Sequence, residues 1–352
     1  MKVLSLFDGM SCGQLALSKV GYKVDKYYAS EIDKYAITVT MANFPNTIQL
    51  GDVRNIKGSD LGHIDLLLGG SPCQGFSRAG KGLNFEDERS KLFFEYVRIY
   101  NELKVINPNI KFLLENVDMD KWCLGIISKY LGIFPVKINS ALVSAQNRVR
   151  WYWSNIRTRN EGFWDEVHTD IPQPKDRKIF IKDITQTEGT DKYFLTDRAI
   201  DGLIRAMERE HKPTFLTDND KAATVDTRIG AKTHRGQYIV AMRGREAILT
   251  PKRTEYGKSI RKAYESGKIK EQRKNIQQLE PRLDGKSNTI TSVQKDNYLL
   301  SGEKIRQLTP TEVERLQTCP DGYTAHVSDS QRYKMLGNGW NVETIIHILK
   351  YI

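Results

Sequence analysis

One cysteine stands where a nucleophile could work. The apolar run 64–68 leads into Gly69 and Gly70, and Pro72 fixes the backbone dihedral just before Cys73. The neighbouring side chains are small or polar, unlike those around a core cysteine. Ligands bind at the carboxyl ends of strands in parallel sheets, so a thiolate held there could attack a substrate if its surroundings stabilise the charge. A spare cysteine in a turn is the alternative interpretation.

A carboxyl group and two guanidinium groups follow at later strand-like runs. Glu115 directly follows the strand-like run 111–114, where a carboxyl group partly removed from water can carry a proton. Arg148 and Arg150 alternate, so in a strand they share one face and could both reach one substrate. A capping glutamate and a surface arginine pair are the alternatives. The convergence of thiol, acid and arginines at one sheet edge favours a catalytic site.

The turn after the first strand has the features of a cofactor turn. Gly9 permits close approach of a ligand, and Gly13 relieves packing at the start of the next helix. Glu31 follows Gly9 by 22 residues, where a carboxylate can accept hydrogen bonds from a ribose diol. The G-x-G-x-x-G fingerprint is absent, so an adenosyl ligand without phosphates fits better than NAD. An ordinary turn between strand and helix remains the alternative, and Asp52 is either an acceptor for an adenine amino group or a helix cap.

The elements that would position these residues alternate between strand and helix. Hydrophobic periodicity predicts strands at 2–7, 24–30, 64–70 and 111–117, helices at 14–20, 33–43, 87–106 and 119–131, and a closing antiparallel pair at 136–142 and 148–156. This alternation is typical of a doubly wound α/β sheet with helices on both faces. A capped helix begins at Thr309-Pro310.

After Ile156 the sequence becomes polar, with scattered prolines and short strand-like runs, which predicts an inserted domain. We expect residues 1–157 to form a catalytic and cofactor-binding domain, 158–303 an inserted domain, and 304–352 a return segment that completes the first. Within the insert, 221–240 and 286–300 share a faint pattern, either two similar strand–loop–strand units or a chance similarity.

Composition excludes several classes of protein. The 352 residues contain no run of about 18 apolar residues, so we expect no membrane span, and the start of the chain is a first strand rather than a signal peptide. The four cysteines form no C-x-x-C pair, which argues against disulfide scaffolds and zinc clusters and fits a reducing cytosol. The net charge is +11, and residues 221–274 hold 15 Lys and Arg against 5 Asp and Glu. Such a cluster indicates phosphate contacts, with a solvated lysine-rich loop as the alternative.

The ordered motifs resemble those of the DNA cytosine-5 methyltransferase family. The resemblance covers residues 1–157 and 304–352 and rests on blocks in the family's order: Phe7-Asp8-Gly9, Glu31, Asp52, Pro72-Cys73-Gln74, Glu115-Asn116-Val117, Gln146-x-Arg148-x-Arg150, Arg306-x-Leu308-Thr309-Pro310 and Gly337-Asn338. The series is specific, whereas Pro-Cys-Gln alone would not be. The first block has Ser11 where bacterial members have glycine and is closer to the animal de novo enzymes, so the subclass stays open.

The resemblance implies a fold and roles for individual residues. The expected fold is the Rossmann-like doubly wound sheet of S-adenosylmethionine-dependent methyltransferases, with a smaller inserted target-recognition domain. Cys73 would attack carbon 6 of cytosine, and Glu115 would bond ring nitrogen 3 and the amino group. Arg150 would hold the ring oxygen, and Arg148 would support the loop. The implied S-adenosylmethionine site comprises Phe7, Asp8, Gly9, Glu31, Ile32, Asp52, Val53, Pro72, Leu92 and Asn338.

The implied partner is double-stranded DNA, from which the target base must be flipped. The candidate DNA-binding residues are Ser77, Arg78, Arg228, Arg235, Gln237, Arg243 and Arg245, and no metal is expected. We expect a monomer on DNA, encoded by a bacterium or phage, with a cognate restriction endonuclease as a candidate partner and no membrane association. The alternatives are an RNA cytosine methyltransferase of the same fold, a non-catalytic binding protein, and, more remotely, a nicotinamide dehydrogenase.

Overall fold

The computed structural model describes residues 1–71, 88–162, 164–194, 247–260, 263, 277–282, 298–301 and 304–352. Within these ranges the main sheet contains seven strands: β1 Lys2–Leu6, β2 Lys26–Ser30, β3 Ile48–Gln49, β4 Leu66–Gly69, β5 Lys111–Val117, β6 Val136–Asn139 and β7 Val149–Ser154. Their order is β3-β2-β1-β4-β5-β7-β6. The first five strands are parallel, and β7 pairs antiparallel with both β5 and β6. This is the doubly wound sheet predicted from the sequence, closed by the predicted antiparallel pair.

Helices connect the strands and complete the chain. They are α1 Cys12–Val20, α2 Lys34–Asn43, α3 Gly58–Leu61, α4 Glu88–Ile106, α5 Lys121–Leu131, α6 Glu255–Ser259, α7 Pro310–Leu316, α8 Asp329–Asn338 and α9 Val342–Leu349. Asp33 and Asp120 cap α2 and α5 through their side chains. Thr309 caps α7 in a capping box with Glu312, with Pro310 in the first turn, as predicted.

The described residues also form two smaller sheets outside the main one. Strands β8 Thr158–Glu161 and β9 Glu166–Thr169 form an antiparallel hairpin. Strands β10 Ala247–Arg253, β11 Gln277–Arg282, β12 Tyr298–Ser301 and β13 Lys304–Gln307 form an antiparallel sheet in the order β11-β10-β12-β13. The expected domain boundaries at 157 and 303 remain a prediction.

Alternation along the central strands builds a core on each face of the main sheet. In β4, Leu66 and Leu68 pack into one buried cluster and Leu67 packs into the other. The same alternation separates Leu113 from Leu114 in β5. Both faces are covered, so these strands are continuous apolar runs rather than alternating polar ones. The first cluster includes α1 and α9, and the second includes α4 and α5.

The C-terminal part of the chain returns to the N-terminal part through a contact between two helices. Helix α9 packs against α1, and its buried residues belong to the same cluster as Val3 of β1. Tyr22 beyond α1 donates a hydrogen bond to the carbonyl of Leu349 at 3.3 Å. The last helix therefore lies in the layer that covers one face of the first strand. No helix in the described ranges has the length and apolar character needed to cross a membrane.

Candidate active site

The turn after β1 has an unusual backbone held by its neighbours. Phe7, Gly9 and Ser11 have φ values of 57°, 58° and 59°. A non-glycine residue in this left-handed region is disfavoured by about 1–2 kcal/mol, so other contacts must stabilise it. The Asp8 N–H donates to the carbonyl of Ser30 at 3.0 Å, which ties the turn to the end of β2.

Glu31, at the end of β2, is fixed by backbone donors. Its Oε2 accepts from the Gly9 N–H at 2.8 Å, and its Oε1 accepts from the N–H groups of Ile32 and Asp33 at 2.7 and 2.8 Å. A carboxylate has about four acceptor sites, so roughly one stays available for a ligand hydroxyl. Beside it the Ile32 side chain is 73% exposed and offers an apolar face. Acceptor and apolar face together suit a ribose and its base.

Asp8 is a buried carboxyl group next to this turn. It accepts hydrogen bonds from the Tyr27 hydroxyl at 2.8 Å and from the Ser11 hydroxyl. Burial raises its pKa to about 6, the hydroxyl hydrogen bonds oppose the rise, and the charge of Glu31 adds to it. The carboxyl group therefore ionises in the native state at the expense of folding free energy.

The free energy of unfolding of Asp8→Asn, relative to that of the wild-type protein, is expected to be higher at pH 7 than at pH 4. The native pKa of about 6 lies above the unfolded value of 3.8, so this group stabilises the fold below pH 4 and that contribution is lost as pH rises to 6. The stability difference between variant and wild type should change by up to about 3 kcal/mol across this window. Urea unfolding at both pH values measures it.

Asp52→Asn is the matched control. Arg54 lowers the pKa of the Asp52 carboxyl group, so the stability of this variant relative to the wild type should fall as pH rises. The change with pH therefore has the opposite sign to that of Asp8→Asn. A stability difference for Asp8→Asn that does not vary with pH would contradict the assignment.

The other predicted cofactor residues differ in what their side chains do. The Asp52 carboxylate accepts from the backbone N–H and the Nε of Arg54, both at 3.0 Å, so it caps the short 3-10 turn Val53–Asn55. The capping alternative is therefore what the structure contains, and acceptance from an adenine stays a prediction. Val53 is buried, and Leu92 on α4 packs partly buried against the same cluster.

Asn338 is exposed at the end of α8, beside the first turn. A Cβ on the following Gly339 would lie 2.7 Å from the Cε of Met10, so the two segments touch and only glycine fits between them. This contact brings Asn338 to the turn that carries Phe7 and Gly9, although 329 residues separate it from Gly9 in the chain.

Arg148 anchors the return segment. Strand β7 begins one residue after Arg148, and the guanidinium group turns to the carbonyls of Gly337 and Gly339 at 3.4 and 2.8 Å. The residue is only 3% exposed. Burial, assisted by the charge of Arg150, lowers its pKa to about 10, so it is still charged at neutral pH. Arg148 is thus bound to the return segment, and the expectation that both arginines reach one substrate stays a prediction.

Glu115 and Arg150 form a pair at the end of β5. The Nε of Arg150 lies 3.0 Å from Oε1 of Glu115, and both side chains are about one-tenth exposed. The antiparallel register sets Glu115 opposite Tyr152 and Val117 opposite Arg150, so the pair is diagonal across the two strands. A Cβ on Gly70 would lie 3.3 Å from Oε2 of Glu115. The carboxylate therefore faces the end of β4.

Asn116 is a functional candidate that the sequence analysis did not single out. Its Nδ2 donates to the hydroxyl of Ser71 at 3.3 Å and to the carbonyl of Ser71 at 3.5 Å. Its Oδ1 accepts from the N–H of Val117 at 2.8 Å. Asn116 thus fixes the residue that precedes Pro72, and its place after Glu115 in the motif was the only signal in the sequence.

Several predicted residues lie outside the described ranges. They are Pro72, Cys73, Ser77 and Arg78 near the end of β4, and Arg228, Arg235, Gln237, Arg243 and Arg245 in the insert. Most of the two similar stretches 221–240 and 286–300 is also outside them. Over the part of the chain that the structure describes, no cluster of His, Cys, Asp and Glu could hold a metal ion.

Three proteins of similar sequence each match nearly the whole chain. The type II methyltransferase M1.ScrFI of Lactococcus lactis subsp. cremoris is 29% identical over 98% of this chain and 76% of that enzyme. The type II methyltransferase M.HhaI of Haemophilus parahaemolyticus is 27% identical over 100% of this chain and 93% of that enzyme. The orphan methyltransferase M.SPRI of Bacillus phage SPR is 25% identical over 99% and 97% of the two chains.

Solved structures show the same fold. A putative DNA modification methyltransferase encoded within an Escherichia coli prophage has a TM-score of 0.59 at 21% identity, over 100% of this chain and 98% of that chain. A mutant DNMT2 of Spodoptera frugiperda has a TM-score of 0.55 at 20% identity, over 99% and 98% of the two chains.

The family description matches the chain almost throughout. The C-5 cytosine-specific DNA methylase family matches residues 1–121 and 138–352, which include the first turn, β4, Glu115, Arg150 and the return segment. The chain therefore belongs to the C-5 cytosine-specific DNA methylase family and is a DNA cytosine-5 methyltransferase.

Proposed function

We propose that the protein transfers a methyl group from S-adenosylmethionine to carbon 5 of a flipped cytosine in a specific duplex DNA sequence, through a covalent bond to Cys73. The observation that carries this proposal is the Glu115–Arg150 pair, which faces Gly70 at the end of β4. Cys73 follows Gly70 by three residues in the sequence, and the turn at Gly9 follows the neighbouring strand β1. Acid, arginine and cofactor turn thus share one edge of one sheet.

The paired side chains suit the polar edge of a cytosine. Glu115 would hold a proton between its carboxyl group and ring nitrogen 3 and accept from the amino group, while Arg150 would donate to the ring oxygen. Both side chains are nearly buried, so their interactions with a bound base act in a low dielectric and are stronger than in water. A stacked base cannot reach such a recess, which supports flipping of the target nucleotide.

The low reactivity of cytosine explains why the enzyme needs a nucleophile. Carbon 5 of cytosine is a poor nucleophile until the Cys73 thiolate bonds to carbon 6 and the ring becomes an enamine, with ring nitrogen 3 taking the proton held by Glu115. After methylation, carbon 5 loses its hydrogen as a proton to water, ring nitrogen 3 returns its proton to Glu115, and carbon 6 releases the thiolate. The aromatic ring and the free Cys73 are restored, so the atoms balance over one turnover.

The residues around the first turn fit an adenosyl group. Glu31 keeps acceptor capacity for ribose hydroxyls, and Ile32 offers an exposed apolar side chain beside it. A Cβ on Gly9 would meet no atom within 4 Å, so space is open next to the backbone. When bound, S-adenosylmethionine supplies the methyl group. Asn338, exposed at the end of α8, would donate or accept a further hydrogen bond.

The insert supplies contacts to DNA in this proposal. Residues 221–274 carry a net charge of +10, which suits phosphate contacts, while loops of the 158–303 segment would read base edges. Phosphate contacts release counterions, so the affinity for duplex DNA should fall steeply with salt concentration. We propose a monomer on DNA, and a cognate restriction endonuclease is the partner to look for next to the gene.

Bisulfite sequencing of DNA from cells that express the chain tests the function. We expect protected cytosines at one short recurring sequence and none in cells expressing Cys73→Ala. Labelled-methyl transfer to purified duplex DNA and to tRNA separates the DNA enzyme from an RNA enzyme. Incorporation into tRNA alone, or bisulfite conversion identical to that of empty cells, would overturn the proposal.

A further inference from the structure

Trp340 fills a space that two glycines leave open at the edge of the sheet. A Cβ on Gly70 would lie 2.8 Å from the Nε1 of Trp340, and a Cβ on Gly13 would lie 3.5 Å from its Cζ3. The indole therefore spans the distance from the end of β4 to the start of α1. Any side chain at Gly70 would collide with it, since real Cβ contacts are essentially never that short.

The indole and the Glu115 carboxylate converge on the same residue. The position of a Cβ at Gly70 lies 3.3 Å from the Oε2 of Glu115 and 2.8 Å from the Nε1 of Trp340. Within the described residues, the indole N–H has no hydrogen-bond partner, so van der Waals contact with Gly70 fixes this edge of the ring. Gly70 is thus packed between an acidic side chain and a rigid aromatic ring.

The backbone on both sides of Trp340 is held. Gly339, the residue before it, has its carbonyl bound by the Arg148 guanidinium at 2.8 Å and by the Gln317 amide at 3.3 Å. Asn341, the residue after it, donates from Nδ2 to the carbonyl of Leu316 at 3.0 Å. These bonds fix the segment that carries the indole, and the contacts at Gly70 and Gly13 confine the ring itself.

We propose that Trp340 is a positioning residue that sets the gap between Gly70 and Glu115. The inference rests on the proposed function, because the chain continues from Gly70 to the nucleophile Cys73 while Glu115 holds the base. A wider gap would change the position of the thiol relative to carbon 6. Misplacement by about 1 Å can slow a reaction by roughly 10²-fold.

The test is a double-substitution cycle between Gly70→Ala and Trp340→Val, read as kcat on duplex DNA. Gly70→Ala should lower kcat by about 10²-fold, because the new methyl group displaces the indole and the Ser71 backbone. Trp340→Val should also lower kcat, since it leaves the gap unsupported. The double variant should have a kcat about tenfold above that of Gly70→Ala alone, because the methyl group then occupies space the indole has vacated.

Gly69→Ala is the matched control for this cycle. Its Cβ would collide with the ring of Tyr96, 2.6 Å away, rather than with Trp340, so Trp340→Val should not restore its activity. Trp340→Phe keeps a flat ring and should retain most of the kcat. Thermal unfolding of each variant separates loss of fold from loss of position, and the KM values for DNA and cofactor should change less than kcat.

Failure of the proposed function and failure of the proposed role of Trp340 give different results. An inactive wild-type protein on every duplex tested would remove the proposed function and the inference with it. An active wild-type protein whose Gly70→Ala and Trp340→Val effects multiply, with no rescue in the double variant, would leave the function intact and overturn the role of Trp340.

Discussion

Cys73→Ala should reduce methyl transfer by at least about 10⁴-fold while leaving affinity for duplex DNA within a few-fold. Without the sulfur, no bond to carbon 6 forms and carbon 5 stays unreactive, so no residual covalent route remains. The affinity for DNA depends mainly on phosphate contacts and on the pocket, which the substitution leaves in place. Single-turnover transfer of a labelled methyl group and a filter-binding or gel-shift titration measure the two quantities.

Cys123→Ala is the control for Cys73→Ala. Cys123 is buried on α5 in the second core cluster, and burial raises the pKa of its thiol to about 12, so it is uncharged at neutral pH. Its replacement removes one small buried group and should leave the rate of methyl transfer nearly unchanged. Comparable loss of activity in both variants would show that the effect of Cys73→Ala arises from folding.

Glu115→Gln should lower kcat by about 10²–10⁴-fold, the usual contribution of general acid–base catalysis. The amide has nearly the shape of the carboxylate, so the side chain still fits beside Arg150, 3.0 Å away in the wild-type ion pair. The amide cannot give a proton to ring nitrogen 3, so the negative charge that develops on the base is not neutralised. Since the lost interaction belongs to the transition state, KM for DNA should change far less than kcat.

Glu161→Gln offers the comparison for Glu115→Gln. Glu161 on β8 also pairs with an arginine, with its Oε2 2.9 Å from Arg159, but both side chains are about half exposed and lie in the hairpin. Exposed pairs contribute at most about 1 kcal/mol to stability, so this variant should retain its kcat. A kcat for Glu115→Gln within threefold of that for Glu161→Gln would rule out proton transfer by Glu115.

The fold was largely predictable because local periodicity and caps determined it. The predicted strand at 111–117 has the same bounds as β5, and the predicted helix at 87–106 differs from α4 by one residue. Thr309 and Pro310 marked the start of α7 correctly. The predicted first strand at 2–7 is one residue too long, because Phe7 already has a left-handed backbone. The hydrophobic pattern of a sequence reflects burial. It does not reveal a backbone dihedral angle that contacts with distant residues impose.

The contacts that organise the site were less accessible to sequence analysis. Gly69 and Gly70 at the end of β4 attracted notice only because they lead to Cys73, yet both make room for side chains, Tyr96 at Gly69 and Trp340 at Gly70. The partner of Gly70 lies 270 residues away in the sequence, so no local pattern could indicate it. The anchoring role of Arg148 was hidden for the same reason, since the carbonyls that attract Arg148 belong to the return segment.

The most direct test of the central claim is trapping of the covalent intermediate. Duplex DNA carrying the recognised sequence with 5-fluorocytosine at the target position allows attack and methylation, but fluorine cannot leave carbon 5 as a cation. The bond to Cys73 should therefore persist, and the wild-type protein should migrate with the DNA in denaturing gels while Cys73→Ala does not. Methylation of ordinary DNA without any denaturant-stable complex on the fluorinated duplex, or an equal yield of that complex with Cys73→Ala, would contradict the account.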